Sequence, residues 1–158
     1  MIYLLKAFLC LLIICATSFV GCFYSHKLSK RKETLELFSL ELSTSLTKIR
    51  YQSNTLANVF SDKFSGYVFN DESNFFLQWK DMLKYYDKTL KKEDVDLLLE
   101  CGEKLGTSDI NGETDNINMY IEMLTSKVAQ AQNDIEKKSK LYRTLGLYSG
   151  IALTILLF

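Results

Sequence analysis

The sequence predicts an all-α protein: a small helical bundle flanked by N- and C-terminal transmembrane helices. Three observations lead to this fold class. The chain of 158 residues has no proline and 7 glycines, so it offers little of the turn chemistry that all-β folds require. Apolar residues in the middle of the chain recur at intervals of three and four, the spacing of one helix face. Uncharged apolar segments stand near both ends, beside basic residues.

The two uncharged segments differ in length. Ala7 to Ser25 contains 19 residues, which as a helix cover about 28 Å, close to the thickness of a hydrocarbon core. Thr144 to Phe158 contains 15 residues, or about 22 Å of helix, and reaches the length of a span if Arg143 extends its head group to the interface. The predicted organisation is therefore a transmembrane helix over residues 1–25, a cytosolic helical bundle over 26–143 and a transmembrane helix over 144–158.

Charge is segregated along the chain although the net charge is zero. All 19 acidic residues lie between Glu33 and Glu136 with only 10 of the 19 basic residues, so this middle region carries −9. The other basic residues flank the apolar segments, mainly at 26–32 and 137–143. Positive residues beside a span stay cytoplasmic. This pattern places residues 26–143 in the cytoplasm and both termini outside.

The cysteines and glycines of the two apolar segments leave alternatives open. Ser18 to Cys22 looks like a bacterial lipobox, which would make the chain a lipid-anchored extracytoplasmic structural protein with Cys22 as its mature N-terminus. The basic residues that follow Cys22 oppose translocation. Cys101 stands alone in the middle region, so neither a disulfide framework nor a zinc site is predicted. Gly146 and Gly150 either permit close helix contact or face lipid.

Four apolar stripes predict the helices of the middle region, and their residues are the expected core. The first helix is expected from about Lys30 to Asn54 and the third from Glu93 to Leu105, with Asn70 and Asp71 as candidate caps of the second. The stripes are, in chain order, Leu35, Phe38, Leu42, Leu46 and Ile49; Phe75, Phe76, Trp79, Met82, Leu83 and Tyr86; Val95, Leu98, Leu99 and Leu105; and Ile117, Tyr120, Ile121, Leu124, Val128, Ala131 and Ile135.

Residues for catalysis are missing from the sequence. His26 is the only histidine, so neither a Ser-His-Asp triad nor a histidine metal cluster can be assembled. The sequence contains no P-loop and no GxGxxG motif. We therefore expect a non-enzymatic protein with no cofactor, no metal and no small-molecule substrate.

An acidic run is the most informative feature of the middle region. From Glu93 to Glu122 there are nine carboxylates and Lys104 as the one basic residue. Such a run is either a solvated face or a surface that docks a basic protein and repels nucleic acid. A regulator that sequesters a basic cytosolic factor is a further reading of the same charge. The candidate partner-binding residues are Glu100, Glu103, Asp109, Glu113 and Asp115.

Several motifs together resemble a known family. They are Leu-Glu-Cys-Gly-Glu-Lys-Leu-Gly-Thr-Ser-Asp over residues 99–109, a long helix, and Lys-Leu-Tyr-Arg-Thr-Leu-Gly-Leu-Tyr-Ser-Gly over 140–150 before an Ile/Leu tail. With the N-terminal apolar segment and the Gln-Trp-Lys of residues 78–80, this layout resembles stage III sporulation protein AB of endospore-forming bacteria. The specific part of the resemblance begins at about Lys91.

The resemblance implies a fold, a location and partners. The fold is similar to the F-type platform proteins of type II secretion and pilus systems. The location is the mother-cell membrane around the forespore, in a stage III secretion-like complex. The partners are a secretion-type ATPase (stage III sporulation protein AA) and other membrane subunits. Read from the residues themselves, Gly106 is expected to end a helix in a left-handed conformation, with Ser108 or Asp109 capping the next helix. The turn of Gly102, Gly106 and Ser108 is therefore either a tight connection between two helices or the tip that faces the ATPase. The last span would begin with Tyr142, Arg143, Gly146 and Gly150. The family also has a longer segment than residues 51–74 provide here.

Overall fold

The protein is helical in the computed structural model, which describes residues 2–51, 59, 60, 67, 69 and 74–157. Among side chains in these helices, those of residues 2–11, 13, 51, 143 and 157 are outside the description. The helices are α1 (Ile2–Tyr51), α2 (Phe75–Tyr86), α3 (Lys92–Lys104), α4 (Ile110–Asp134), a π-helical turn (Ile135–Ser139) and α5 (Lys140–Leu157). The prediction of an all-α chain is confirmed. Most of the short segment 51–74 lies outside the described residues.

The chain divides into two compact units. The helical core unit comprises Arg31–Ala129 and holds the second part of α1, helices α2 and α3, and most of α4. The hairpin unit comprises Met1–Lys30 and Gln130–Phe158, and holds the first part of α1, the π-helical turn and α5.

The core of the helical core unit is built from the predicted stripes. Leu35, Phe38 and Leu42 of α1 are fully buried, and so is Trp79 of α2. The ring of Phe38 meets that of Trp79 edge-on, with 6.1 Å between the centroids. The prediction of the core is confirmed for most of its residues; the other buried members in this unit are Met82, Leu83, Leu98, Leu105, Ile117, Tyr120 and Leu124, and Ala131 is buried in the hairpin unit.

The N-terminus of α2 differs from the prediction. Asn74 is the cap, because its Oδ1 accepts a hydrogen bond from the Phe76 backbone N–H at 2.9 Å. An asparagine side chain in this position satisfies one of the four free N–H groups at a helix start. The predicted caps, Asn70 and Asp71, lie outside the described residues.

In the hairpin unit, α5 packs closely against α1. A Cβ atom added to Gly146 would lie 2.8 Å from the backbone oxygen of Thr17, and one added to Gly150 would lie 3.0 Å from Cα of Ile14. The rings of Tyr24 and Tyr142 are 5.7 Å apart. Of the two readings of the glycine pair, the structure therefore supports close helix contact.

The two predicted membrane spans are not confirmed. In the described part of the chain, no helix combines the length and the apolar character that crossing a bilayer requires. The side chains of the first half of the predicted N-terminal span lie outside that part.

Candidate interaction surface

The acidic run from Glu93 to Glu122 does not form one uniform surface. Some of its carboxylates are buried or paired inside the helical core unit, and others are exposed to solvent. The exposed ones include four of the five candidate partner-binding residues, Glu100, Glu103, Asp109 and Asp115. The fifth, Glu113, is only 4% exposed.

Asp94 is buried and forms an ion pair with Arg31. The two side chains are 0% and 4% exposed and are joined by two hydrogen bonds, Nε to Oδ2 at 2.7 Å and Nη2 to Oδ1 at 3.0 Å. Asp94 Oδ2 also accepts from the backbone N–H of Lys91 at 3.1 Å, which caps the start of α3. Asp94 therefore belongs to the core and not to a docking face.

The pKa of Asp94 reflects two opposing influences. Burial by itself would raise the pKa of this carboxyl. The hydrogen bonds from Arg31 and Lys91, with the charges of Arg31 and Lys127, outweigh burial and hold the pKa below its ordinary value. Lys127 also pairs with Glu93 at 3.0 Å, so a second carboxylate of the run has a basic partner.

Glu113 is hydrogen-bonded to the backbone of the turn between α3 and α4. Its Oε1 accepts a hydrogen bond from the Gly106 backbone N–H at 2.9 Å. Burial raises the pKa of Glu113, against the opposing effect of the Gly106 and Ser108 backbone N–H groups. The interpretation of Glu113 as a partner-binding residue on an exposed tip conflicts with this geometry, because its position on the core stripe of α4 turns it inward.

The turn itself follows the residue types of the sequence. Gly106 has a φ of 80°, a left-handed conformation that costs glycine little. Asp109 Oδ1 accepts from the Gly112 backbone N–H at 3.0 Å and so caps α4. The Ser108 hydroxyl accepts instead from Asn116 Nδ2 at 3.4 Å. The acidic Asp109 is thus engaged in the local structure although it is exposed.

Gly102 lies within α3 and not in the predicted turn. A Cβ atom at this position would overlap the indole ring of Trp79. Without one, the indole reaches the α3 backbone, and its Nε1–H donates to the Leu98 carbonyl at 2.8 Å. The role of Gly102 is therefore to let α2 and α3 approach closely.

The exposed carboxylates of α3 border a groove. Asp96, Glu100 and Glu103 follow one another at intervals of four and three, so they share a helix face. Together with the half-buried side chains of Phe76 and Leu99 and the exposed Lys80, they line a groove of about 340 Å³ between α2 and α3. We call this surface the acidic groove. It offers carboxylates at its rim and apolar side chains in its wall.

The residues expected near the last span lie in the hairpin unit. Tyr142, Gly146 and Gly150 occupy the side of α5 that faces α1. Arg143 is in α5, and its side chain lies outside the description.

Reactive or metal-binding groups are not brought together in the described residues. Cys101 is buried, and burial together with the carboxylates of Glu113 and Glu100 raises the pKa of its thiol to about 12. Such a thiol stays protonated and unreactive. No set of three or more His, Cys, Asp or Glu residues in the described part of the chain could hold a metal ion.

The burial of these charged residues is not among the predictions from the sequence, although the sequence carries a signal for it. Arg31 is four residues before Leu35, Asp94 is four before Leu98, and Glu113 is four before Ile117. Each charged residue thus continues the core stripe of its helix toward the N-terminus.

Comparison with known proteins bears on the same part of the chain. The model of the family "Stage III sporulation protein AB (spore_III_AB)" matches residues 62–158, more than half of the chain. The chain belongs to this family. Stage III sporulation protein AB of Bacillus subtilis (strain 168) is 28% identical over 106 residues, which are 66% of this chain and 60% of that protein. The chain thus spans about 60% of this relative's length. No solved structure matches the chain significantly. The resemblance inferred from residues 91–150 is confirmed, and it implies a role in sporulation.

Proposed function

We propose that the chain is a non-enzymatic platform of a stage III sporulation assembly in the mother-cell membrane around the forespore. In this proposal the hairpin unit anchors the chain through two spans and the helical core unit faces the cytoplasm. The acidic groove docks a basic surface of a secretion-type ATPase, and other membrane subunits of the complex contact the hairpin unit.

The acidic groove is the observation that carries the docking proposal. Its three carboxylates are exposed, while Asp94 and Glu113 of the same acidic run are buried and hydrogen-bonded inside the unit. A surface with an excess of negative charge over an apolar wall favours a basic partner and sets the orientation of docking. The single lysine at its rim, Lys80, does not balance the three carboxylates.

The exposed apolar side chains of the hairpin unit support the membrane anchor. Phe19 is 74% exposed, Phe23 61%, Ile155 75% and Leu156 82%. Large side chains left uncovered on the outer face of a two-helix unit favour an apolar surrounding. Basic residues adjoin both apolar segments in the sequence, at 27–30 after the first and at 137–143 before the second, as they do at the cytoplasmic end of a span.

Charge reversal on the acidic groove tests the docking proposal. The variant E100K/E103K should lose co-purification of the ATPase from sporulating cells, because two attractive contacts become repulsive. The matched control D87K/E122K reverses two exposed carboxylates elsewhere on the unit and should retain co-purification. Both variants should remain in the membrane fraction after carbonate extraction. Equal ATPase recovery with the two variants would contradict docking at the groove.

A further inference from the structure

The stripe of less exposed residues that leads into the α1-facing side of α5 has an unusual period. In the hairpin unit it runs from Ala131 at the end of α4, through the π-helical turn, to Thr154 of α5 in steps of four, four, three, four, four and four. The six steps cover 23 residues, whereas six turns of α-helix contain about 22. The π-helical turn Ile135–Ser139 accommodates the additional residue, since a π turn contains about one residue more than an α turn.

The π-helical turn brings two basic segments to one level of the hairpin unit. Ser139, its last residue, contacts the hydroxyl of Ser25 on α1. Lys27 and Lys30 follow Ser25, and Lys138 and Lys140 flank Ser139. All four lysines are exposed. We call these four lysines the basic collar; Asp134, which pairs with Lys138 at 2.6 Å, offsets part of its charge.

An apolar groove begins directly beside the basic collar. It lies between α1 and α5, has a volume of about 390 Å³, and is lined by Val20, Gly21, Tyr24, Tyr142, Leu145 and Gly146 among others. Gly21 and Gly146 both line the groove, at a point where the backbones of the two helices approach closely. Tyr24 and Tyr142 form the end nearest the collar, three residues before Lys27 and four after Lys138.

From this arrangement we propose that the hairpin unit binds an anionic phospholipid, with an acyl chain in the apolar groove and the headgroup phosphate on the basic collar. The inference rests on the proposed membrane anchor and adds a lipid selectivity to it. The charge of the collar selects an anionic over a zwitterionic headgroup. Tyrosine at the boundary suits the level between headgroup and acyl chain, where its ring is apolar and its hydroxyl is polar.

Fluorescence quenching by brominated lipids tests the proposal on the full-length chain. A bimane label is placed on Cys22, which is exposed and follows Gly21 of the groove in sequence, after Cys10 and Cys15 are replaced by alanine. The labelled protein is reconstituted in phosphatidylcholine vesicles that contain dibrominated phosphatidylglycerol or dibrominated phosphatidylcholine. The ratio of the two apparent binding constants measures the preference for the anionic lipid.

The parent protein should prefer phosphatidylglycerol severalfold, since one lysine near an anionic headgroup contributes on the order of fivefold. The variant K27Q/K138Q/K140Q removes three of the four collar lysines and should lower the ratio severalfold. V20W, which fills the groove and leaves the lysines in place, should lower the ratio as well. The control K88Q/K92Q/K104Q removes three exposed lysines of the helical core unit and should keep the parent ratio.

The contrary outcomes are distinct. Equal quenching of the parent by both lipids would overturn the lipid site and leave the membrane anchor intact. An unchanged ratio in V20W would overturn the groove as the place of binding. If neither lipid quenches the label, the membrane anchor itself is wrong, and the lipid site fails with it.

Discussion

The buried ion pair between Arg31 and Asp94 makes the sharpest prediction about stability. The change Asp94→Asn keeps the shape of the side chain and an acceptor for the Lys91 N–H, but removes the carboxylate charge that faces the Arg31 guanidinium, which is 4% exposed. Removing one partner of a buried pair costs about 3–5 kcal/mol, because the remaining charge stays desolvated. This is a large part of the roughly 5–15 kcal/mol that stabilises a typical domain.

Urea unfolding of the full-length chain in detergent, followed by fluorescence, measures this cost. Trp79 is the only tryptophan and is fully buried, so its emission reports on the core of the helical core unit. A loss of about 3 kcal/mol at a slope near 1.5 kcal/mol per molar urea lowers the midpoint by about 2 M.

Two further variants define the result that would refute the reasoning. Asp81→Asn breaks the Lys84–Asp81 pair, which has the same N–O distance of 2.7 Å but is 71% and 59% exposed, and it should leave the midpoint unchanged. The double variant R31M/D94L should recover most of the loss, because it removes both buried charges together. If Asp94→Asn and Asp81→Asn shift the midpoint equally, burial does not determine how much the Arg31–Asp94 pair contributes to the free energy of unfolding.

Three other predictions follow from the interior of the helical core unit. Gly102→Ala should destabilise the chain by about 1–3 kcal/mol and shift Trp79 emission to the red, because the added Cβ overlaps the indole; unchanged emission would contradict this packing. Glu113→Gln should raise the unfolding free energy at pH 8 and flatten its pH dependence. The pKa of Glu113 is raised on folding, so its contribution is full below its ordinary pKa and is lost as pH rises; a loss of stability at pH 8 would refute this. Cys101 should react with iodoacetamide only after unfolding, because its thiol is buried with a pKa of about 12; mass spectrometry of native and denatured protein measures this, and labelling in the native state would contradict it.

The helices and most of the core could be predicted from the sequence because both depend on apolar periodicity. The stripe of Leu35, Phe38 and Leu42 is buried as its spacing predicts, and the same holds for Ile117, Tyr120 and Leu124. This period of three and four is a local property of each helix, so no knowledge of tertiary neighbours is required.

The division of the acidic run could not be predicted in the same way. Charged residues are nearly always on the surface unless they are paired, so Asp94 and Glu113 were assigned to a solvated or docking face. Their partners, Arg31 and the Gly106 N–H, are set by tertiary packing and by a turn. Gly102 was misplaced for a related reason, since the need for a missing side chain arises from Trp79 on another helix.

The most direct test of the account as a whole is the topology of the helical core unit. Asn111 is exposed at the start of α4, which follows α3 and its groove-lining carboxylates in the sequence. It is replaced by cysteine in a chain whose native cysteines are alanine or serine. A membrane-impermeant thiol reagent is then applied to intact and to lysed cells. The platform proposal predicts labelling only after lysis, which would place the docking surface where a cytoplasmic ATPase can reach it. Labelling in intact cells would contradict the proposal and favour the chain lipid-anchored at Cys22 outside the cytoplasm.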